Sequence, residues 1–168
     1  MRTLRSLRRS TTILLAALVI CHCSLVIPVD LRAAQIDLSS ATIADLQAAF
    51  SAGALTSEKL VELYLARIDA YDQKGPKLNT IITLKARETA LAEARALDAE
   101  RKAGKVRSPL HGIVVLAKDV FDTKDMPTSG GFAPMATSQP IYDSFVIERL
   151  RTAGAIILAK LNQSDWYG

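Results

Sequence analysis

The chain has 168 residues, of which 49% are hydrophobic, 23% charged and 5% aromatic. This composition is typical of an ordinary globular protein and excludes a low-complexity or disordered chain. The net charge of +4 belongs to residues 1–34, because the remaining residues carry equal numbers of basic and acidic side chains. A neutral body of this kind excludes an extended basic surface for nucleic acid.

Residues 1–34 have the pattern of a secretory signal peptide. Four arginines precede an apolar stretch at residues 11–29, and Ala33 and Ala34 are small residues suited to cleavage. The competing interpretation is an uncleaved membrane anchor, because residues 11–29 approach the length that spans a bilayer. Both interpretations predict export to the periplasm or the cell exterior, with membrane contact only through this leader. Both cysteines lie in the leader, which excludes disulfide bonds and thiolate zinc sites in residues 35–168.

Three helices and one strand are predicted in the first half of the body. Thr42 and Asp45 have the spacing of a capping box at the start of the first helix. Apolar residues at helical spacing continue the second helix up to the Gly75-Pro76 pair. The predicted helices are at 42–50, from residue 56 up to the Gly75-Pro76 pair, and at 86–103. A strand is predicted at 79–84.

From residue 108 onward the pattern predicts a βαβ-like unit. The continuous apolar run at 113–117 is too short for a helix and indicates a strand buried on both faces. A glycine-rich loop at 123–131, a helix at 143–153 and a second apolar strand at 155–159 follow. This order predicts an α/β fold with helices packed against the sheet.

Lys118 is the first candidate functional residue, because it directly follows the apolar run at 113–117. A lysine at the end of a buried strand must either be paired or lose its proton. A desolvated lysine with a lowered pKa can act as a base at neutral pH. The alternative is a structural ion pair with Asp119 or Asp122, and the residues taken alone favour it.

Metal and cofactor chemistry is not predicted. Asp119, Asp122 and Asp125 are three residues apart, but they lack the alternating ligand spacing of a calcium loop. His111 is expected to satisfy a backbone partner rather than to take part in catalysis. The glycine pair at 130–131 either brings the backbone close to a ligand or turns the chain.

Three separated sequence blocks together resemble the amidase signature family. They are PLHGIVVLAKD at 109–119, MPTSGG at 126–131, and a block beginning at residue 143 that contains AGAIILAKLNQSDW at 153–166. The similarity runs from about residue 34 to residue 168. The resemblance implies an α/β/α fold, in which helices flank a large mixed sheet. Residues 35–168 are expected to be a truncated N-terminal part of that fold.

The resemblance also implies an activity, namely hydrolysis of carboxylic amides without a metal or an organic cofactor. In the family's Ser–Ser–Lys triad, a neutral lysine takes a proton, through a bridging serine, from the nucleophilic serine. The resemblance assigns the lysine's role to Lys118. The expected substrate of a full-length form is a small-molecule or peptide-like amide. The candidates for a substrate loop are Thr128, Ser129, Gly130 and Gly131.

The matching blocks also depart from the family pattern. Val114 replaces a usual proline, Val120 a usual asparagine, Phe132 a usual serine and Ala159 a usual glycine. The block that carries both triad serines normally lies further along the chain than residue 168. We therefore expect the 168-residue chain to be inactive alone. The alternatives are a non-catalytic fragment that binds or assembles with another chain, and a longer product that contains the serines.

Overall fold

A computed structural model describes residues 36–163, so the leader predicted at residues 1–34 lies outside the described part. The helices are α1 (Ile43–Ser51), α2 (Ser57–Ile68), α3 (Arg87–Lys102) and α4 (Phe145–Thr152). The strands are β1 (Ile81–Leu84), β2 (Val114–Lys118) and β3 (Ile156–Leu161). A π-helical segment, Asp69–Gln73, follows α2, and a 3-10 turn, Ala133–Met135, precedes α4. Within residues 36–163, none of the helices has the length and apolar character needed to cross a bilayer.

Local sequence signals start the first two helices where they are predicted. The Thr42 hydroxyl accepts a hydrogen bond from the Asp45 backbone N–H at 3.2 Å, and the Asp45 carboxylate accepts one from the Thr42 N–H at 2.9 Å. The predicted capping box is therefore confirmed. The Thr56 hydroxyl accepts from the Lys59 N–H at 3.0 Å and caps α2 in the same manner.

The three strands form one mixed sheet in the order β1–β3–β2. β3 pairs antiparallel with β1 and parallel with β2. The parallel pair, connected through α4, confirms the predicted βαβ-like unit. Because β3 is the central strand, its first five residues are all buried.

The prediction that the apolar run at 113–117 forms a strand buried on both faces is wrong for the described residues, although Ile113 at the start of that run is buried. The observed strand β2 begins one residue later. Of its five residues only Ala117 is buried, while Leu116 and Lys118 are exposed. The reason is the sheet order, which places β2 at an edge and β3 in the middle. An apolar run indicates that a strand is suited to burial. Whether both of its faces are covered depends on the strands and helices packed around it.

Helices cover both faces of the sheet. On one face, α2 and α3 pack on β3 in a cluster that comprises Val61, Leu65, Ala90, Ala94, Leu97, Ile156 and Leu158. On the other face, Ile147 of α4 packs with Ala117, Met126 and Ile157. The predicted α/β class with flanking helices is thereby confirmed.

A partly buried ion network joins α3, α4 and the segment that follows β2. The Lys85 side chain is 2% exposed, and its Nζ lies 2.8 Å from Glu93 Oε1 and 2.9 Å from Asp125 Oδ2. Arg151 of α4 lies 2.6 Å from Asp125 Oδ1. Burial raises the pKa of Asp125, but the hydrogen bonds and positive charges of Lys85 and Arg151 outweigh it and hold that pKa below its ordinary value.

Candidate functional site

Lys118 lies at the C-terminal end of β2 with its side chain exposed. Its Nζ donates a hydrogen bond to the backbone carbonyl of Asn162 at 2.6 Å. The prediction of a desolvated Lys118 is wrong for the described residues, because β2 is an edge strand there. The predicted alternative, an ion pair with Asp119 or Asp122, is not formed within residues 36–163 either, since Asp119 pairs with Lys160 instead.

Asp119 holds the glycine-rich loop against the end of β2. Its fully buried carboxylate accepts hydrogen bonds through Oδ2 from the Ser129 N–H at 3.0 Å, the Ser129 hydroxyl at 2.5 Å and the Gly131 N–H at 3.4 Å. Its backbone N–H donates to the Leu161 carbonyl at 3.1 Å, and its own carbonyl accepts from the Gly130 N–H at 3.0 Å. One residue therefore fastens the loop to the sheet through both its side chain and its backbone.

Lys160 in β3 is a lysine that the structure does bury, with an exposed fraction of 0%. Its Nζ lies 3.1 Å from Asp119 Oδ1, 2.7 Å from the Thr128 hydroxyl and 3.3 Å from the Pro127 carbonyl. A buried ammonium group needs such a counter-ion and hydrogen-bond partners. Lys160 is not among the residues predicted from the sequence, although it follows an apolar run in the same way as Lys118. The same local signal precedes both lysines and does not show which of them is buried.

The substrate-loop candidates form a tight turn beside a hollow. Thr128 and Ser129 are buried, while Gly130 and Gly131 have φ angles of +63° and +76° that favour glycine. The hollow has a volume of about 480 Å³ and is lined by Asp119, Val120, Ser129, Gly130, Phe132 and other residues. Val120 and Phe132 are two of the positions that depart from the family pattern, and they give the hollow apolar walls.

Lys118 and the loop border different hollows. Lys118 lines a separate hollow of about 430 Å³ together with Asn79, Asn162 and Gln163. Thr128 and Ser129 line the loop hollow, and Gln163 borders both hollows. The structure therefore brings the predicted site residues to one end of the sheet, but it does not join Lys118 and the loop in a single cavity within residues 36–163.

The three aspartates considered for a metal site have different partners. Asp119 pairs with Lys160, Asp125 pairs with Lys85, and the Asp122 carbonyl accepts from the Ser144 N–H at 2.9 Å. In the part of the chain that the structure describes, no group of three or more His, Cys, Asp or Glu side chains is arranged to hold a metal ion.

His111 has the structural role expected from the sequence. It is fully buried, its Nε2 lies 2.9 Å from the Leu97 carbonyl, and its Nδ1 accepts from the Arg107 N–H at 3.3 Å. Both ring nitrogens therefore have backbone partners, which confirms the prediction.

Comparison with known proteins gives one consistent family. A sequence model described as Amidase matches residues 59–167. The A subunit of the glutamyl-tRNA(Gln) amidotransferase of Chloroflexus aggregans is 40% identical over 130 residues, which cover 77% of this chain and 26% of that protein. The same subunit of an Anaeromyxobacter species is 43% identical over 119 residues, which cover 71% of this chain and 23% of that protein.

Solved structures agree with the sequence comparison. The native peptide amidase from Stenotrophomonas maltophilia superposes with a TM-score of 0.72 at 43% identity, covering 76% of this chain and 26% of that chain. An amidase family protein from Bacillus anthracis superposes with a TM-score of 0.71 at 38% identity, covering 76% and 25%. The chain spans about a quarter of the length of these relatives.

The matched segment contains the blocks at 109–119, 126–131 and 153–166 on which the resemblance was based. The match covers more than half of the chain, and the superpositions extend it to the fold. The resemblance is therefore confirmed, and the chain belongs to the amidase family.

Proposed function

We propose that the protein hydrolyses carboxylic amide bonds and that Lys118 is the base that activates a serine nucleophile. The observation that carries the proposal is the position of Lys118, whose Nζ is accessible at the end of β2 beside a hollow of about 430 Å³. This position falls within the segment matched by the amidase family. Similarity to a peptide amidase and to a component of an amidotransferase supports an amide as the substrate.

The Lys118 side chain is held by a hydrogen bond, which its Nζ donates to the Asn162 carbonyl at 2.6 Å. The proposal takes this amine as the base in its neutral form, in which the nitrogen lone pair can accept a proton. In the proposed reaction, Lys118 takes a proton from the nucleophilic serine through a bridging serine, and the serine oxygen attacks the amide carbonyl. The proton then passes to the departing amine, and water hydrolyses the acyl-enzyme to release the acid.

Both serines of the proposed mechanism come from outside the described residues. No serine hydroxyl in residues 36–163 is hydrogen bonded to Lys118 Nζ, and the Ser129 hydroxyl is engaged by Asp119. A lysine base without a nucleophile and oxyanion donors accelerates little. Because the family resemblance puts the block with both serines further along than residue 168, the proposal predicts that the 168-residue chain alone is inactive.

The test uses the protein expressed from its intact gene, over whatever length that gene encodes. Ammonia release from peptide amides and small aryl amides is measured for the parent, Lys118→Ala and Lys118→Arg. Both variants should lose kcat by several orders of magnitude, because alanine has no base and the guanidinium of arginine is not deprotonated in proteins.

The matched control is Lys105→Ala, which removes another exposed lysine and should leave kcat unchanged. A folded Lys118→Ala variant with parental kcat would refute the role of Lys118. A parent protein that hydrolyses none of these amides would refute the activity itself.

A non-catalytic assembly role is the second candidate, and exposed apolar residues favour it. Leu116 in the edge strand β2 is 40% exposed, Ile141 is 88% exposed and Phe145 is 75% exposed. Within residues 36–163, β2 pairs only with β3, and an edge strand of this kind can accept a strand from another chain. Sedimentation of the purified 168-residue chain over a range of concentrations tests this role, and a monomer at every concentration would contradict self-association.

A further inference from the structure

The ion pair of Asp119 and Lys160 has no part in the proton transfers proposed above. Both side chains have exposed fractions of 0%, and their charged atoms lie 3.1 Å apart. Burying two charges is expensive, and an apolar pair of similar volume is often at least as stable. Stability alone is therefore a weak explanation for this pair, and its location suggests another role.

We propose that Asp119 and Lys160 are positioning residues, which fix the end of β2 and the loop at residues 127–131 so that Lys118 is held in its working position. This inference rests on the proposed function, because it assumes that Lys118 is the base. Neither residue is proposed to touch the substrate.

The geometry of the two strand ends supports this role. In the sheet register Ala117 is opposite Lys160, and Lys118 is opposite Leu161. The carbonyl that accepts from Lys118 Nζ belongs to Asn162, two residues beyond Lys160. A shift between the ends of β2 and β3 would therefore move Lys118 relative to its hydrogen-bond acceptor.

The ion pair also secures the loop on both sides of its turn. Lys160 Nζ contacts the Thr128 hydroxyl and the Pro127 carbonyl, while Asp119 accepts from Ser129 and Gly131. The two charged groups thus hold residues on both sides of the turn. Loss of either charge would leave the other buried without its counter-ion and release one half of the loop.

Lys85 provides a matched control for a purely structural role. Its side chain is also nearly fully buried at 2% exposure, and it too is paired with carboxylates, Glu93 and Asp125. Those partners lie in α3 and in the segment after β2, outside the loop at residues 127–131. Replacing either lysine with methionine removes a buried charge and keeps a side chain of similar length.

The experiment compares Lys160→Met, Lys85→Met and the parent, all expressed from the intact gene. We expect Lys160→Met to lower kcat by about 10- to 100-fold with little change in KM, since a misplacement of about 1 Å can cost about 100-fold. Lys85→Met, assayed below its unfolding temperature, should keep parental kcat. Hydrogen exchange of the Ser129 and Gly131 amides should become faster in Lys160→Met only.

The outcomes separate this inference from the proposed function. If Lys118→Ala abolishes activity while folded Lys160→Met keeps parental kcat and parental amide exchange, the positioning role is wrong and the proposed function stands. If Lys118→Ala is fully active, the proposed role of Lys118 as the base is wrong, whereas amide exchange still tests whether the pair holds the loop. If Lys160→Met does not fold, Thr128→Val removes one partner of Lys160 and is measured in its place; parental kcat and exchange in that variant would also refute the role.

Discussion

Replacement of Gly154 with alanine tests how the helix α4 is connected to β3. Gly154 follows the end of α4 and has a φ of +91°, a conformation that residues with a side chain rarely adopt. An alanine Cβ at this position would lie 2.9 Å from His111 Cα and 3.0 Å from His111 Nδ1. The substitution therefore introduces both a strained backbone and a steric overlap.

The two costs can be assigned separate magnitudes. The left-handed conformation costs about 1–2 kcal/mol for a residue with a Cβ. Overpacking in a well-packed core typically adds about 1–3 kcal/mol. His111 cannot move aside easily, because it is fully buried, its ring binds the Leu97 carbonyl, and the Gly112 N–H donates to the Gly154 carbonyl at 2.8 Å. We therefore expect Gly154→Ala to lower the free energy of unfolding by about 2–5 kcal/mol.

Urea denaturation of the full chain measures this loss, and Gly104→Ala is the control. Gly104 has a φ of +74°, but an alanine Cβ there would meet no heavy atom within 4 Å. The control should therefore lose only the conformational contribution, and the difference between the variants isolates the overlap with His111. Equal losses in the two variants would refute the argument that His111 blocks a side chain at residue 154.

Three further predictions concern other parts of the chain. Asp125→Asn should be most destabilising at neutral pH and less so on acidification. The lowered pKa of the Asp125 carboxyl in the folded state contributes stability at pH values above the unfolded-state pKa, and this stability is lost as the pH falls through the folded-state pKa. Urea denaturation from neutral pH to about pH 3 measures the effect, and a pH-independent difference between variant and parent would contradict it. The 168-residue chain alone should release no ammonia from amides, and turnover that disappears in Lys118→Ala would show that the nucleophile lies within it. We propose that the leader directs export. Residues 1–40 fused to a reporter that works only outside the cytoplasm should therefore give a signal, and Ile13→Arg with Leu15→Arg should abolish that signal. A reporter that stays in the cytoplasm would contradict export.

The order of the helices and the starts of the first two could be predicted because their signals are local. The end of the second helix was predicted too late, at the Gly75-Pro76 pair, whereas α2 ends at Ile68 and the π-helical segment Asp69–Gln73 follows it. Thr42 and Asp45 cap α1 within one turn of chain, and the glycines at 53 and 154 follow helices in left-handed conformations. The parallel pairing of β2 and β3 could also be predicted, because a strand–helix–strand order with a short crossover has one common arrangement. None of these features depends on which strand lies at the centre of the sheet.

The environment of the two lysines could not be predicted, because it depends on that order. Lys118 and Lys160 both follow short apolar runs, and the sequence offers no local distinction between them. Among the strands of residues 36–163, the central position of β3 buries Lys160, whereas the edge position of β2 exposes Lys118. The partner of Asp119 was missed for the same reason: a counter-ion in another strand becomes a neighbour only through the sheet register.

The central position of β3 also has a consequence for folding during synthesis. Within residues 36–163 each strand pair includes β3, so β1 and β2 have no partner until residues 156–161 have been made. Helices α2 and α3 are closer along the chain and can associate earlier, whereas non-local strand pairing is slow. At a synthesis rate of about 5–20 residues per second, the apolar side chains of β1 and β2 remain uncovered for seconds. The synthesis of β3 therefore determines when β1 and β2 of the described sheet gain a partner and are no longer exposed to aggregation.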